Sequence, residues 1–180
     1  IISSNWIEEM LMYSQREDIA CVGAKLYYPN KRIQHAGVII GIYGCTGHSH
    51  KYYNFNSNGY FYRLVSVQNM SAVTAACLMI KTKIYKELNG LDEINLEVAF
   101  NDVDFCLRAQ EKGYRNIFTP YCEAYHYESI SRGKENTPIK MDRFKREVEY
   151  IKKRYSIIFK RGDPFYNPNL TLIREDFSLK

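Results

Sequence analysis

The sequence lacks any long hydrophobic run. Its most apolar stretches, AVTAACLMI (72–80) and HAGVIIGIYG (35–44), are strand-sized or split by glycine. Both fall short of the ~20 apolar residues that a membrane-spanning helix needs. At its amino end there is neither the basic n-region nor the apolar h-region of a signal peptide. The cysteines number five, an odd count, and form no C-x-x-C pair. A disulfide framework and a zinc site therefore both lack their pattern. Cys21, Cys77 and Cys106 sit in apolar runs, as small buried hydrophobes do, and reduced thiols fit a cytoplasmic protein. There is no G-x-G-x-x-G, G-x-x-x-x-G-K-[ST], G-x-S-x-G or H-E-x-x-H, so a dinucleotide dehydrogenase, a P-loop ATPase, a serine hydrolase and a zincin find no support. Internal repeats are absent, and so are RRM, KH and helix-turn-helix signatures, so no nucleic-acid partner is expected.

What is present describes a globular chain. Of 180 residues, 46% are hydrophobic and 25% charged, enough for one core with an appended tail and too apolar for a disordered polyampholyte. Tyrosine is frequent, 16 residues, which suits carbohydrate contact and many other surfaces. The net charge of +5 is local: residues 140–161 hold nine Lys/Arg against three acids. Such a segment is either a solvated helix face or a surface for anionic lipid, nucleic acid or a phosphorylated substrate.

The patterning alternates strands and helices, which predicts an α/β domain. Asn5 with Glu8 reads as a capping box before a helix over 6–15. Strands are expected over 20–28, 33–40 and 64–70, and the apolar segment 72–81 is expected to be buried. Between them, 41–63 is a polar, Gly-, Asn- and Tyr-rich loop, long enough to be a binding loop or an acceptor lid. Thr82 begins a short helix closed by Asn89-Gly90, and a clear helix runs from Asn101 or Asp102 to Gly113. Short strands follow over 116–120 and 123–129. Phe144, Val148, Ile151, Tyr155 and Ile158 give one apolar stripe on a helix over 141–159. The tail from 163 to 170 has two prolines and reads as an extended wrap. The domain division expected is 1–135 and 136–180.

Chemistry concentrates in NDVDFCLRAQEKG (101–113). Asp102 and Asp104 lie in the first helical turn, where the positive end of the helix dipole favours ionised carboxylates, and such a carboxylate suits a general base. Arg108 is four residues beyond Asp104 and can pair with it. Plain helix capping is the competing reading. D-x-D also matches a nucleotide-metal motif, but a metal-binding pair sits at the end of an apolar strand and here a helix follows at once. His126, in AYHYES, is either a structural hydrogen bonder or a metal ligand. His48 and His50 form H-x-H in the long loop, either a metal clamp without a third ligand nearby or, for His48, a substrate contact.

Taken in order, VTAACLMIKTKIYKELNGLDE (73–93), NDVDFCLR (101–108) and GYRNIFTPYCEAYHYESISRG (113–133) resemble the C-terminal half of bacterial family 2 glycosyltransferases with the GT-A fold. QHAGVIIG (34–41), Gly47-His48 and DPFYNPNLTLIREDFSL (163–179) resemble the subgroup that builds rhamnose-containing surface polysaccharides. The similarity spans nearly the whole chain. It implies a partial GT-A fold with a mixed sheet, and an inverting transfer of a sugar from a UDP- or dTDP-sugar to a saccharide or lipid-linked acceptor. It implies Asp102 as the general base and Asn101 in place of the family's usual glutamate. Asp104 and Arg108 would shape the acceptor side, and Thr74, Ala75 and Ala76 the donor-sugar wall. Asp92 would precede the catalytic loop, and His126 would add a ligand to a Mg²⁺ or Mn²⁺ ion on the diphosphate. The nucleotide-binding half that family members carry is not in these 180 residues, so Ile1 to Ser4 reads as the cut end of a strand and the segment alone is expected to be inactive. Location is expected in the cytoplasm, with contact to the inner face of the membrane through the basic helix 141–159. A noncatalytic carbohydrate- or protein-binding module is the alternative.

Overall fold

A computed structural model describes residues 1–127 and 137–180. It is an α/β structure built on a mixed sheet. Helix α1 (Trp6–Ser14) leads into β1 (Ile19–Tyr27), every residue of which is buried. A run apolar on both faces marks a central strand covered on two sides. One edge of β1 pairs in parallel with β7 (Arg115–Tyr125), and β5 (Gln68–Met70) adds to β7 antiparallel. The other edge of β1 is shared by β2 (Ile33–His35) and β6 (Leu78–Ile80), both antiparallel.

The two faces are covered differently. Val22, Ala24 and Leu26 of β1 pack with Met10 of α1, Ile117 and Cys122 in a small cluster. The opposite face carries the main core, with Cys21 and Tyr27 of β1, Val103 and Phe105 of α3 (Asn101–Glu111), and Ile151 of α4 (Pro138–Arg154). Gly23 faces Val73, and a Cβ there would lie 2.5 Å from Val73 Cβ, so the chain after β5 can cross β1 only over a glycine.

Several expected elements take another form. The capping box is absent: Asn5 makes no side-chain cap, and its Nδ2 donates to Glu9 Oε1 at 2.9 Å. The strand expected over 33–40 is cut at Gly37 (φ +96°) into β2 and β3 (Val38–Ile40), and β3 leaves the main sheet to pair with β4 (Thr46–His48). Segment 72–81 is buried only at Ala72 and Val73. From Thr74 it surfaces into a 3₁₀ turn (Ala75–Cys77) before β6. Strands 116–120 and 123–129 are one strand, β7, through Tyr125. It bulges because Thr119 to Cys122 stand opposite the single Ala24, at a point where Pro120 has no N–H to give a ladder. Helix 141–159 is two, α4 and α5 (Ser156–Arg161), broken at Tyr155. α2 (Thr82–Glu87) is as short as expected, with Lys81 rather than Thr82 at its cap.

Loop 41–63 is pinned at Ile42, Gly47, Ser49 and His50, which are buried, while Tyr43, Tyr52, Phe61 and Tyr62 stay exposed. His50 is fully buried, its ring stacks on Phe177 at 4.2 Å, and its Nε2 accepts the Tyr60 N–H at 3.0 Å. The tail that supplies Phe177 does wrap the molecule. Asp163 anchors it, with Oδ1 accepting the Ser71 hydroxyl and Oδ2 the Ile40 N–H, each at 2.8 Å. Tyr166 and Leu170 join the main core. The expected domain boundary at 135/136 and the sequence ESISRG (128–133) lie outside the described residues. No helix among the described residues is long and apolar enough to cross a membrane.

Candidate functional site

A cleft of about 790 Å³ lies between the β3–β4 ribbon, the start of α3 and one face of α4. Asp102, Thr74 and His48 line it, together with Lys51, Lys152 and an apolar wall that includes Phe100, Phe144 and Val148. Three residues singled out from the sequence thus meet in one cavity.

Asp102 is half-buried at the first turn of α3. Its Oδ1 accepts the Val103 N–H at 2.8 Å, and its Oδ2 accepts the Ala75 N–H at 2.9 Å. Among the described residues it enters no ion pair. The carboxylate is therefore held by backbone donors, which fix its position. The 74–76 turn that receives it is itself closed, because Thr74 Oγ1 accepts the Ala76 N–H at 3.3 Å. Ala75 and Ala76 are exposed, and Asn101 is half-buried at the helix start.

Two further devices set the start of α3. Phe100 adopts a left-handed conformation (φ +63°) to turn the chain into the helix, a backbone state that costs a non-glycine residue about 1 kcal/mol or more. Its ring meets Phe144 of α4 at 5.6 Å. Beside it, Glu147 of α4 is 2% exposed and takes the Val98 N–H (3.0 Å) and Ala99 N–H (3.2 Å) on its two oxygens. Sequence reasoning missed Glu147, although an acid three residues after Phe144 and four before Ile151 stands inside the apolar stripe, and that was the available signal.

Behind the cleft wall lies a histidine pair. His35 is fully buried, and its Nδ1 is 2.8 Å from His48 Nδ1. Burial holds His35 well below the ordinary imidazole range, and the nearby His48 and His126 act in the same direction. His35 was not singled out from the sequence. It sits on a three-residue strand beside Gly37, with no pattern to mark it.

The remaining expected site residues gather elsewhere. Asp92, Asp104 and Arg108 line a second cleft, of about 630 Å³, on the other side of α3. Asp104 is 1% exposed, with Oδ2 accepting Arg108 Nε at 2.7 Å and Oδ1 accepting the Tyr155 hydroxyl at 2.6 Å, while Arg154 Nε lies 3.6 Å away. Arg108 donates to the carbonyls of Leu88 and Gly90. Asp92 Oδ1 accepts the Ile94 and Asn95 N–H groups, and its Oδ2 accepts the Tyr150 hydroxyl at 3.0 Å. Burial raises the Asp92 carboxyl, but the donors from Asn95 and Tyr150 outweigh it and hold it below the usual carboxylate value. All three side chains are thus committed to contacts within the fold.

His126 places Nδ1 2.9 Å from Gln34 Oε1. Among the described residues no three His, Cys, Asp or Glu side chains gather as a metal cage.

No family model matches the chain. It is 53% identical over 179 residues to the uncharacterized protein y4gI of Sinorhizobium fredii, a match that takes in 99% of this chain and 20% of that protein. It is 30% identical over 195 aligned positions to the O-antigen biosynthesis protein RfbC of Myxococcus xanthus, which takes in all of this chain and 14% of that protein. The chain thus spans a fifth or less of the length of the curated relatives it matches.

Proposed function

We propose that the intact protein builds surface polysaccharide of the cell envelope, and that the 790 Å³ cleft is the acceptor side of a glycosyl-transfer site in a partial GT-A fold. The observation that carries this reading is the Asp102 carboxylate, held at the head of α3 by the Ala75 N–H and lining a cleft large enough for a sugar ring. The similarity to a protein named for O-antigen biosynthesis supports it from a separate direction.

The chemistry is an inverting displacement. Asp102 takes the proton of an acceptor hydroxyl as that oxygen attacks the anomeric carbon of a nucleotide sugar, UDP- or dTDP-linked. The bond to the diphosphate breaks on the opposite side, and the nucleoside diphosphate leaves with the bonding electron pair. The apolar wall from Phe100, Phe144 and Val148 gives a sugar face something to stack on, and Lys51 and Lys152 suit an acceptor that carries negative charge, such as a lipid-linked diphosphate. The basic α4–α5 segment would bring such an acceptor's anionic surface close. The resemblance also implies Mg²⁺ or Mn²⁺ on the leaving diphosphate. Among the described residues no three His, Cys, Asp or Glu side chains gather to hold it.

The test is Asp102→Asn in the full-length protein, assayed with a panel of UDP- and dTDP-sugars. Transfer should fall by about 10²–10⁴-fold, the usual worth of a general base, while nucleotide-sugar binding by calorimetry stays unchanged. An unaltered kcat would remove Asp102 from the role.

A further inference from the structure

A third cleft, of about 710 Å³, opens between the 3₁₀ segment Tyr60–Val65, the start of β5 and the tail at 164–169. It shares no lining residue with the Asp102 cleft. Among the described residues, Arg63 is the one charged side chain that lines it. Phe61 and Tyr62 hold left-handed backbone (φ +47° and +61°) with their rings exposed, and Arg63, next along, turns in over the Phe177 ring, its Cζ 5.7 Å from the centroid.

The fold gives this guanidinium little to donate to. Nη2 meets the Met70 sulfur at 3.5 Å, a weak acceptor, and Nε is sealed from solvent with no partner. With Nε sealed, the Nη edge is the end of the head group left to the half-exposed side chain. Among the described residues Arg63 enters no ion pair. Asp163 favours its charge from farther off, but the Asp163 oxygens already accept the Ser71 hydroxyl and the Ile40 and Phe165 N–H groups. Burial acts against the charge, so an anion in the cleft would offset a cost that is already present.

The neighbouring amides turn the same way. Asn69 Oδ1 accepts Arg115 Nη1 at 3.3 Å, and Asn167 Oδ1 accepts the Asn169 N–H at 2.9 Å. Their oxygens are engaged, and neither Nδ2 has an acceptor among the described residues. Gln68 spends its Nε2 on the Arg63 and Ser66 carbonyls and keeps a sealed acceptor, Oε1. The Tyr166 hydroxyl donates to the Thr171 carbonyl at 2.8 Å, so Tyr166 and Phe165 offer the cleft flat rings. The cleft is thus rich in donors, carries one cation and has an aromatic wall.

We propose that this cleft is a second saccharide subsite, for a sugar ring that carries an oxyanion: Arg63 takes the anion on its Nη edge, and the Asn69 and Asn167 amides donate to oxygens beside it. A guanidinium fork matches two oxygens of a carboxylate or phosphate, and the aromatic rings suit a sugar face. A uronate and a sugar phosphate are the two sources of that oxyanion. The sugar part rests on the reading of the intact protein as a builder of polysaccharide. The anion part rests only on the groups that line the cleft. A residue held here lies outside the Asp102 cleft, so it selects which chain is extended without entering the displacement.

Calorimetry on the full-length protein decides it, with methyl β-D-glucopyranosiduronate, D-glucose 6-phosphate, methyl β-D-glucopyranoside and inorganic phosphate as probes. At least one anionic sugar should bind, and the neutral glycoside more weakly by about tenfold or more. Preference for the uronate or for the 6-phosphate identifies the source. Arg63→Met keeps a stem over Phe177 and should weaken binding of the anionic sugar about 10–150-fold, the worth of a hydrogen bond to a charged group. Its melting temperature should not fall, because the fold supplies no counter-charge to lose. Asn69→Asp can still accept from Arg115 and should also weaken binding, by setting a negative charge on the rim. Failure of both anionic sugars to bind, binding no weaker for the neutral glycoside, or anion binding that Asn69→Asp and Arg63→Met leave unchanged would overturn the site. A lower melting temperature in Arg63→Met with wild-type binding by Asn69→Asp would overturn it too, by making Arg63 a structural residue. Inorganic phosphate bound as tightly as either sugar would overturn the saccharide part and leave an anion site. Asp102 lines the other cleft, so Asp102→Asn should bind these probes as the wild type does, and the transfer reading and this site stand or fall in separate measurements.

Discussion

The Asp104 cluster makes a strong quantitative demand on stability. Asp104→Asn keeps the side-chain shape and removes one buried charge. It leaves Arg108, bound at 2.7 Å, and the Tyr155 hydroxyl, bound at 2.6 Å, facing a neutral amide. Removing one member of a buried ion pair costs about 3–5 kcal/mol. The Tyr155 hydroxyl donates to a charged acceptor, so Tyr155→Phe should cost about 1.5–3 kcal/mol. With a urea slope of about 2 kcal/mol per M, a loss of ~4 kcal/mol moves the unfolding midpoint by roughly 2 M. The two changes act on one network and must not add. Once Asp104 is neutral, most of what Tyr155 contributes is gone, so the double variant should resemble Asp104→Asn alone, with a coupling close to the full cost of Tyr155→Phe, about 1.5–3 kcal/mol. Chemical denaturation of the wild type, both single variants and the double variant closes the cycle. Additivity within about 0.5 kcal/mol would show that Tyr155 and Asp104 do not share their energy, and would refute the account of how α4 is fastened to α3.

Other perturbations have equally definite outcomes. Glu147→Gln offers one acceptor oxygen where Val98 and Ala99 need two. It should lower stability by about 1–3 kcal/mol and slow transfer in the full-length protein, and a variant with wild-type melting and turnover would contradict the role given to Glu147. Stability should fall in acid through His50, whose pKa burial lowers from 6.5 to about 3. A lowered imidazole favours folding while neutral, so its contribution is complete above the unfolded value and shrinks as pH falls below it, by about 1.4 kcal/mol per unit. Urea midpoints at several pH values should show the slope, and His50→Gln should make it shallower, leaving the part due to His35 and, in stronger acid, the part due to carboxylates such as Asp92 that the fold holds below their usual value. Gly23→Ala puts a Cβ against Val73 and should cost about 1–3 kcal/mol, part of which Val73→Ala should return. A Gly23→Ala variant as stable as wild type would mean that the crossing over β1 is loose.

What the sequence revealed and what it hid follow from the range of the forces involved. Helices α3 and α4 were legible because each carries a periodic pattern, and β1 because an apolar run stopped by Pro29-Asn30 leaves few alternatives, whereas α1 was found through a capping box that the structure does not form. The division of 33–40 into β2 and β3 was hidden because Gly37 looks like any glycine until its positive φ is known. The packing of loop 41–63 was hidden because it depends on Phe177, more than a hundred residues away, stacking on His50. At the site, Asp102 was legible through its place at a helix start. Its neighbours were not: the Ala75 amide, Glu147 and His35 reach the cleft through contacts between distant segments, which no local pattern records.

The geometry of α3 explains why two carboxylates in one motif have separate fates. A helix turns about 100° per residue, so residues two apart diverge by about 200°. Asp102 therefore opens onto the larger cleft, while Asp104 enters the junction with α4 and α5. Such a pair cannot converge on one cation as a D-x-D at a strand end does. It can instead couple the attachment of the C-terminal segment to the aim of the Asp102 carboxylate. Asp104 sets how α3 is rotated against α4 through Arg154 and Tyr155, and Glu147, one side of α4 away, sets where α3 begins through Val98 and Ala99. Rotation and start together determine where the Asp102 carboxylate lies. In this fold α4 is thus the brace of the cleft as well as one of its walls.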